Sequence, residues 1–177
     1  MEHVWAPWRM KFIRRKRTDG CVFCTLPSER DQLRENLILH LGAECFVILN
    51  RYPYTCGHLM VIPHRHTNDF LSLTSAETAE STRLQQVSIG ILHETYRPEG
   101  INIGMNLGKS AGAGIREHLH WHVIPRWVGD SNFLPIVGNT RSIPEHLVDT
   151  YDRLRPLFRR LEEGAGIAPS GHPEDEP

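Results

Sequence analysis

His118-Leu119-His120-Trp121-His122-Val123-Ile124-Pro125 is the stretch on which the reading of this chain turns. Its three histidines recur at every second residue. In a helix that spacing would rotate each ring by about 200° from the last and scatter them. In a strand it sets all three on one face, about 6.6–6.8 Å apart. Leu119, Trp121 and Val123 are apolar and suit the opposite, core-facing side, and Pro125 ends the run. The spacing therefore predicts a strand over 118–125 that carries a row of imidazoles, with Trp121 turned away from them.

Imidazole changes its charge near neutral pH and serves as nucleophile, acid, base or metal ligand. Two readings of the row follow: a metal site that uses two or three of the rings, or a nucleophilic histidine flanked by helpers. The neighbouring sequence bears on the choice. Gly108, Gly112 and Gly114 lie just upstream in GKSAGAG, and glycine-rich loops let backbone N–H groups approach an anion closely. Downstream, Arg126 is placed to balance phosphate charge. A phosphate loop beside a histidine row points to nucleotidyl chemistry at phosphorus.

Further out, apolar runs at 37–41 and 45–50, turned at Gly42, read as strands, followed by a loop through Tyr52, Pro53, Tyr54 and Gly57. Residues 58–63 (HLMVIP) and 101–107 (INIGMNL) read as two more. Between them, 74–96 is helical. Thr74 and Glu77 form a capping box, Leu84, Val87, Ile91 and Leu92 recur at helical spacing, and Pro98 with Gly100 ends the run. A second helix is predicted after Pro144, to about residue 163. The implied architecture is α+β: a five-stranded antiparallel sheet with a long helix and a C-terminal helix packed on it. A single domain is expected over 1–163, including an N-terminal arm over 1–20. The Gly-, Pro- and acid-rich tail 164–177 is expected to be disordered.

The chain has 177 residues, enough for one sizeable core. Twenty basic against twenty-one acidic residues give a formal charge of −1, which argues against a nucleic-acid partner of the strongly basic kind. No apolar run approaches the roughly 18 residues of a membrane span, so no membrane partner is expected. The opening MEHVWAPWRM has no apolar h-region, which leads to the expectation of a cytoplasmic, reducing location. There the pair Cys21-x-x-Cys24 reads as metal-binding or redox-active, and Cys45 and Cys56 as small apolar residues. The run Arg14, Arg15, Lys16, Arg17 is a solvated segment or a phosphate-attracting arm.

His118-Leu119-His120-Trp121-His122-Val123-Ile124 matches in full the motif H-φ-H-φ-H-φ-φ, and on it the chain resembles the histidine triad (HIT) family. Residues 57–63 (GHLMVIP) with His66 resemble the family's central strand, and residues 101–108 its Asn-rich strand. The opening WAPWR, the segment NRYPYTCGHLMVIP and PRWVGDSNF resemble the bacterial and archaeal branch, which includes diadenosine-tetraphosphate phosphorylases. The resemblance spans about residues 4–160. It implies a HIT-like fold, a homodimer joined through its sheets, and cleavage of a nucleotide or dinucleotide substrate at the α-phosphate. In that reaction a histidine forms a covalent nucleotidyl intermediate, and water or phosphate then releases the nucleotide.

By the same resemblance His120 is the nucleophile and His122 a flanking histidine that contacts phosphate. Asn50 matches a ribose-contacting position, and Asn102 and Asn106 match positions near the nucleotide and phosphates. The chemistry is compatible: a neutral imidazole attacks phosphorus without prior deprotonation once a backbone carbonyl fixes its tautomer. The chain departs from many relatives in the loop before the triad. AGAGIRE at 111–117 has neither their glutamine nor their serine, and Ser110 is the nearest hydroxyl. The family's zinc-bearing members add an I-P-x-x-H histidine and the first triad histidine to a cysteine pair. Here that set is Cys21, Cys24, His66 and His118, with Zn in a structural role because four protein ligands leave no open position. His64 is expected at the surface, and His58 is not expected to be a ligand. Three alternatives stay open: a nucleoside phosphoramidate hydrolase, a nucleotide-binding regulatory module with weak catalysis, and a metal-dependent hydrolase with the triad as ligands.

Overall fold

Two apolar runs with no polar interruption, CFVIL and LMVIP, form the centre of the molecule as strands β2 (Cys45–Leu49) and β3 (Leu59–Pro63). Every residue of both is buried, as expected of strands covered on two faces. They pair antiparallel in unbroken register from Cys45 opposite Pro63 to Leu49 opposite Leu59. The computed structural model describes residues 20–130 and 145–163. The readings that concern the basic run, most of the N-terminal arm and the acidic tail lie outside these residues.

Three more strands complete the sheet: β1 (Ile38–Leu41), β4 (Gly100–Met105) and β5 (Trp121–Arg126). The order is β1-β2-β3-β5-β4, all antiparallel. The expected five-stranded antiparallel sheet is therefore present, with shifted ends. β1 starts at Ile38 and not Leu37, because Leu37 takes a left-handed φ of 63° that no strand residue adopts. β5 starts at Trp121 and not His118. The backbone N–H of Leu119 donates to the Thr67 carbonyl, so this stretch is held by a loop before the ladder begins.

Helix α1 (Val22–Thr25) is one short turn, which the sequence reading missed, and two further tight turns at Leu26–Ser28 and Arg30–Gln32 follow it. Helix α2 (Ser75–Tyr96) carries the predicted capping box: Thr74 Oγ1 accepts the Glu77 N–H, and the Glu77 carboxylate accepts the Thr74 N–H. Arg65 also pairs with Glu77, at 2.8 Å, and holds its carboxyl down at about 2. Leu84, Ile91 and Leu92 of α2 are fully buried. Helix α3 (Leu147–Glu162) buries Tyr151, Leu154 and Phe158 and lies against β1 and α2.

Register decides which face the site occupies. Trp121 opposes Val61, which opposes Val47, two residues from Cys45. The Cys45 thiol donates to the Glu77 carbonyl of α2, so this set faces the helix. His122 opposes Met60 and Gly104 and therefore points to the other face. Trp121 is turned away from the triad as predicted, and packs edge-on against Phe70.

Candidate active site

His120 is buried, and a backbone group fixes its tautomer. Its Nδ1 lies 2.8 Å from the carbonyl oxygen of His118. A carbonyl only accepts, so Nδ1 carries the proton and Nε2 is left with a free lone pair. Burial lowers the pKa of His120, which keeps that lone pair unprotonated near neutrality; the bond to the carbonyl opposes the shift in part. The His120 and His122 rings are 5.1 Å apart, nearly perpendicular.

His122 is oriented in turn by His58, which is fully buried. The Tyr54 backbone N–H donates to His58 Nδ1 at 3.1 Å, so the His58 proton sits on Nε2. That Nε2–H donates to His122 Nδ1 at 3.0 Å, which leaves the proton of neutral His122 on its own Nε2. Burial, with each ring's histidine neighbour adding to it, drives His58 down to about 3 and His122 to about 4. Both are neutral at pH 7. The pair at the centre is thus complementary: one ring with a lone pair at Nε2, the next with a donor at Nε2.

Sequence reasoning set His58 aside. Its signal is the glycine before it. Gly57 has φ 75°, and a Cβ there would meet Leu92 Cδ2 at 3.1 Å and the Tyr96 ring at 3.3 Å. The glycine lets the chain turn tightly enough to aim His58 across β3 at His122. Tyr54 stacks on His58, with ring centroids 5.0 Å apart.

The four residues of the expected metal set converge. One ligand atom from each of Cys21, Cys24, His66 and His118 lies within 4.8 Å of the others. His118 Nδ1 is 3.3 Å from Cys21 Sγ and 3.6 Å from Cys24 Sγ, and His66 Nδ1 is 3.3 Å from Cys24 Sγ. Zinc bonds of about 2.3 Å to sulfur and about 2.0 Å to nitrogen in a tetrahedron require ligand separations of this size. His118 Nε2–H donates to the Pro63 carbonyl at 2.8 Å, which fixes Nδ1 as the ligand atom. His118 thus serves twice: its ring belongs to the metal set and its carbonyl sets the tautomer of His120. Between the cysteines, Phe23 packs edge-on against the His118 ring at 5.6 Å and lies 5.1 Å from His120.

The remaining candidates are spread around this centre. Asn50 turns to His58, with Nδ2 3.4 Å from both ring nitrogens, and its Oδ1 accepts the Tyr52 N–H. Asn102 is exposed on β4 and its Oδ1 accepts from Arg126. Asn106 is partly buried just past β4, and Gly108, Ser110, Gly112 and Gly114 are exposed in the connection from β4 to His118. Gly108 and Gly112 have φ of 80° and 89°. Arg126 differs from expectation: its guanidinium makes a two-pronged pair with Asp130, so its charge is already balanced. His64 is not a simple surface residue either, since it donates to the Gly42 carbonyl and stacks on Phe46. Cys45 is a buried apolar residue as expected, whereas Cys56 sits beside Glu145 and Thr150 in a polar cluster.

The HIT domain family model matches residues 31–128, more than half of the chain and all five strands. The chain belongs to the histidine triad family. Within that family, this histidine triad protein is 39% identical over 159 residues to the AP-4-A phosphorylase of Mycobacterium tuberculosis, covering 85% of this chain and 80% of that one. It is 30% identical over 94 residues to the bis(5'-adenosyl)-triphosphatase of Dictyostelium discoideum, covering 53% and 62%. Among solved structures, a Zn-bound histidine triad family protein from Mycobacterium smegmatis superimposes with a TM-score of 0.64 at 28% identity, over 82% of this chain and 97% of that one.

Proposed function

We propose that this histidine triad protein cleaves dinucleoside polyphosphates of the diadenosine-tetraphosphate kind at the α-phosphate, with His120 as nucleophile. The observation that carries the reading is the bond from His120 Nδ1–H to the His118 carbonyl, which leaves Nε2 free. The Nε2 lone pair attacks the α-phosphorus, a P–N bond forms, and the P–O bond to the leaving polyphosphate breaks with its electron pair. Water or orthophosphate then attacks the same phosphorus, the P–N bond breaks, and His120 recovers its lone pair. His122 Nε2–H serves as a donor to the phosphate oxygens, on which negative charge builds. Backbone amides of Gly108 and Gly114 with Ser110 surround the phosphates, Gly112 shaping the loop because its N–H donates to the Lys109 carbonyl, and Asn50, Asn102 and Asn106 contact the nucleotide. The 39% identity to an AP-4-A phosphorylase supports this substrate class.

Cys21, Cys24, His66 and His118 hold a structural zinc in this reading. When bound, zinc would cross-link the N-terminal segment to the triad, with no open position for substrate. The Zn-bound relative and the donor spacing support it. The protein is further proposed to act in the reducing cytoplasm, in keeping with four unpaired cysteines, and as a homodimer. Support for the dimer lies at β4, an edge strand. Ile103 on it and Leu107 beyond it are each about half exposed, and so is Phe70 beside Trp121.

The deciding experiment is turnover of diadenosine tetraphosphate, with and without orthophosphate, by wild type and His120→Ala. ADP plus ATP formed only with phosphate identifies a phosphorylase, and AMP plus ATP without it a hydrolase. No turnover by wild type would overturn the dinucleotide assignment in favour of a phosphoramidate substrate or a binding module. Full activity in His120→Ala would remove the covalent mechanism.

A further inference from the structure

The cysteine pair is joined to the reacting histidine by two physical routes. The first runs through His118, whose ring nitrogen lies 3.3 Å from Cys21 Sγ and whose carbonyl holds His120 Nδ1. The second runs through Phe23, which sits between the two cysteines in sequence and packs on both rings. Cys24 is exposed and Cys21 partly so, whereas Cys45 is fully buried. The four residues from Cys21 to Cys24 form a single turn, with the Cys24 N–H donating to the Cys21 carbonyl at 3.1 Å. That spacing lets the two sulfurs approach to bonding distance by side-chain rotation and a small backbone shift.

We propose that Cys21 and Cys24 are an oxidation site for hydrogen peroxide, and that closing them into a disulfide switches off the His120 centre. The proposal rests on the zinc reading above. The exposed Cys24 thiolate attacks one peroxide oxygen; an S–O bond forms, the O–O bond breaks and hydroxide leaves. The Cys21 thiolate then attacks Cys24 sulfur; the S–S bond forms, the S–O bond breaks and a second hydroxide leaves. Both sulfurs are oxidised, both peroxide oxygens are reduced, and two ligands are withdrawn from the metal, which is freed as Zn²⁺. His118 then loses the tether on its ring, and the backbone around Phe23 shifts. Both changes loosen the carbonyl and the aromatic edge that orient His120. The other two thiols are poor competitors: Cys45 is fully buried, and Cys56 is partly buried with its sulfur against Glu145 and Thr150.

The test uses the full chain loaded with zinc and then treated with hydrogen peroxide. Three quantities are followed together: zinc released to a chromophoric chelator, the position of the new disulfide by peptide mass, and the ¹⁵N shifts of the His120 ring. The expected result is one zinc freed per chain in step with loss of the Cys21 and Cys24 thiols. The His120 nitrogen shifts converge as its tautomer is lost, and diadenosine-tetraphosphate turnover falls at least tenfold. A phosphine reductant with added zinc restores all of these. Cys45→Ala/Cys56→Ala responds as wild type does, and Cys24→Ser forms no intrachain disulfide. Zinc retained under excess peroxide, a disulfide at Cys45 or Cys56, or unchanged His120 shifts in the zinc-free disulfide form would overturn the proposal. A chain that takes up no zinc before peroxide is added overturns the zinc reading as well. One that takes up zinc and keeps it overturns the switch alone.

Discussion

His58 Nε2 and His122 Nδ1 stand 3.0 Å apart, and the bond between them has only one polarity, because the Tyr54 amide occupies the other nitrogen of His58. A backbone amide in the loop before β3 thereby determines which nitrogen of His122 faces the site with a proton. Neither histidine needs a charge for this, and both are buried enough to resist one.

Breaking this relay is expected to reduce catalysis more than binding. In His58→Ala, His122 is free to take either tautomer, and kcat falls about 10²-fold, the scale of losing one oriented donor, with KM changed little. His58→Gln retains an N–H able to reach His122 and recovers part of the loss. Steady-state kinetics of the two variants check this; equal loss in both would mean that His58 acts through packing alone.

The pH profile follows from the same burial. In the proposed mechanism His120 reacts only with Nε2 unprotonated, and its pKa is held below the ordinary histidine value of 6.5. The rate kcat/KM is therefore expected to be level above that value, with the acid limb displaced below it. Measurement of kcat/KM against pH with a non-titrating substrate analogue checks the position of the limb.

Stability has a matching dependence. His58 titrates near 6.5 when unfolded and near 3 when folded. The unfolded chain binds the proton first, so stability is fully present above 6.5 and is lost as pH falls towards 3. For His58 the loss between about pH 7 and about pH 4 is on the order of 3 kcal/mol. Denaturant midpoints at the two pH values, for wild type and His58→Gln, isolate it: the variant should lose distinctly less.

Phe23 is nearly buried against two triad rings, so Phe23→Ala removes packing at His120 as well as from the core. A cost of about 3–5 kcal/mol is expected. Phe23→Leu should cost much less in stability yet still lower kcat, because the aromatic contact with the rings is gone. Thermal melts beside kinetics separate the two effects.

Chelation supplies a further check. Under the zinc reading proposed above, only the assembled set of Cys21, Cys24, His66 and His118 holds the metal, so stripping it is expected to lower Tm by at least about 5 °C, recovered on adding zinc back. Cys21→Ser should melt low and be insensitive to the chelator.

Much of this site is legible in the sequence. Alternation marked the strand that begins at Trp121, although only His122 of the three histidines lies on it, and apolar runs marked β2 and β3. Thr74 and Glu77 gave the start of α2 to the residue. The metal set came from the resemblance and its members do meet. His58 was not legible, because its role depends on a register that pairs Met60 with His122 and on a tight turn at Gly57, both products of tertiary packing. Arg126 misled for the opposite reason: nothing local shows that Asp130, four residues on, takes both of its forks. The start of β5 slipped by three residues because the Thr67 carbonyl, distant in sequence, claims the Leu119 amide.

The two rims of the sheet are unequal. β4 runs in regular register through all six of its residues, whereas β1 breaks register between Ile38 and His40, next to the left-handed Leu37. A regular rim is a template for another strand and an interrupted one is not. Were the homodimer proposed above to form across β4, each copy would carry its interrupted β1 at the outer end, a poor template for a third strand.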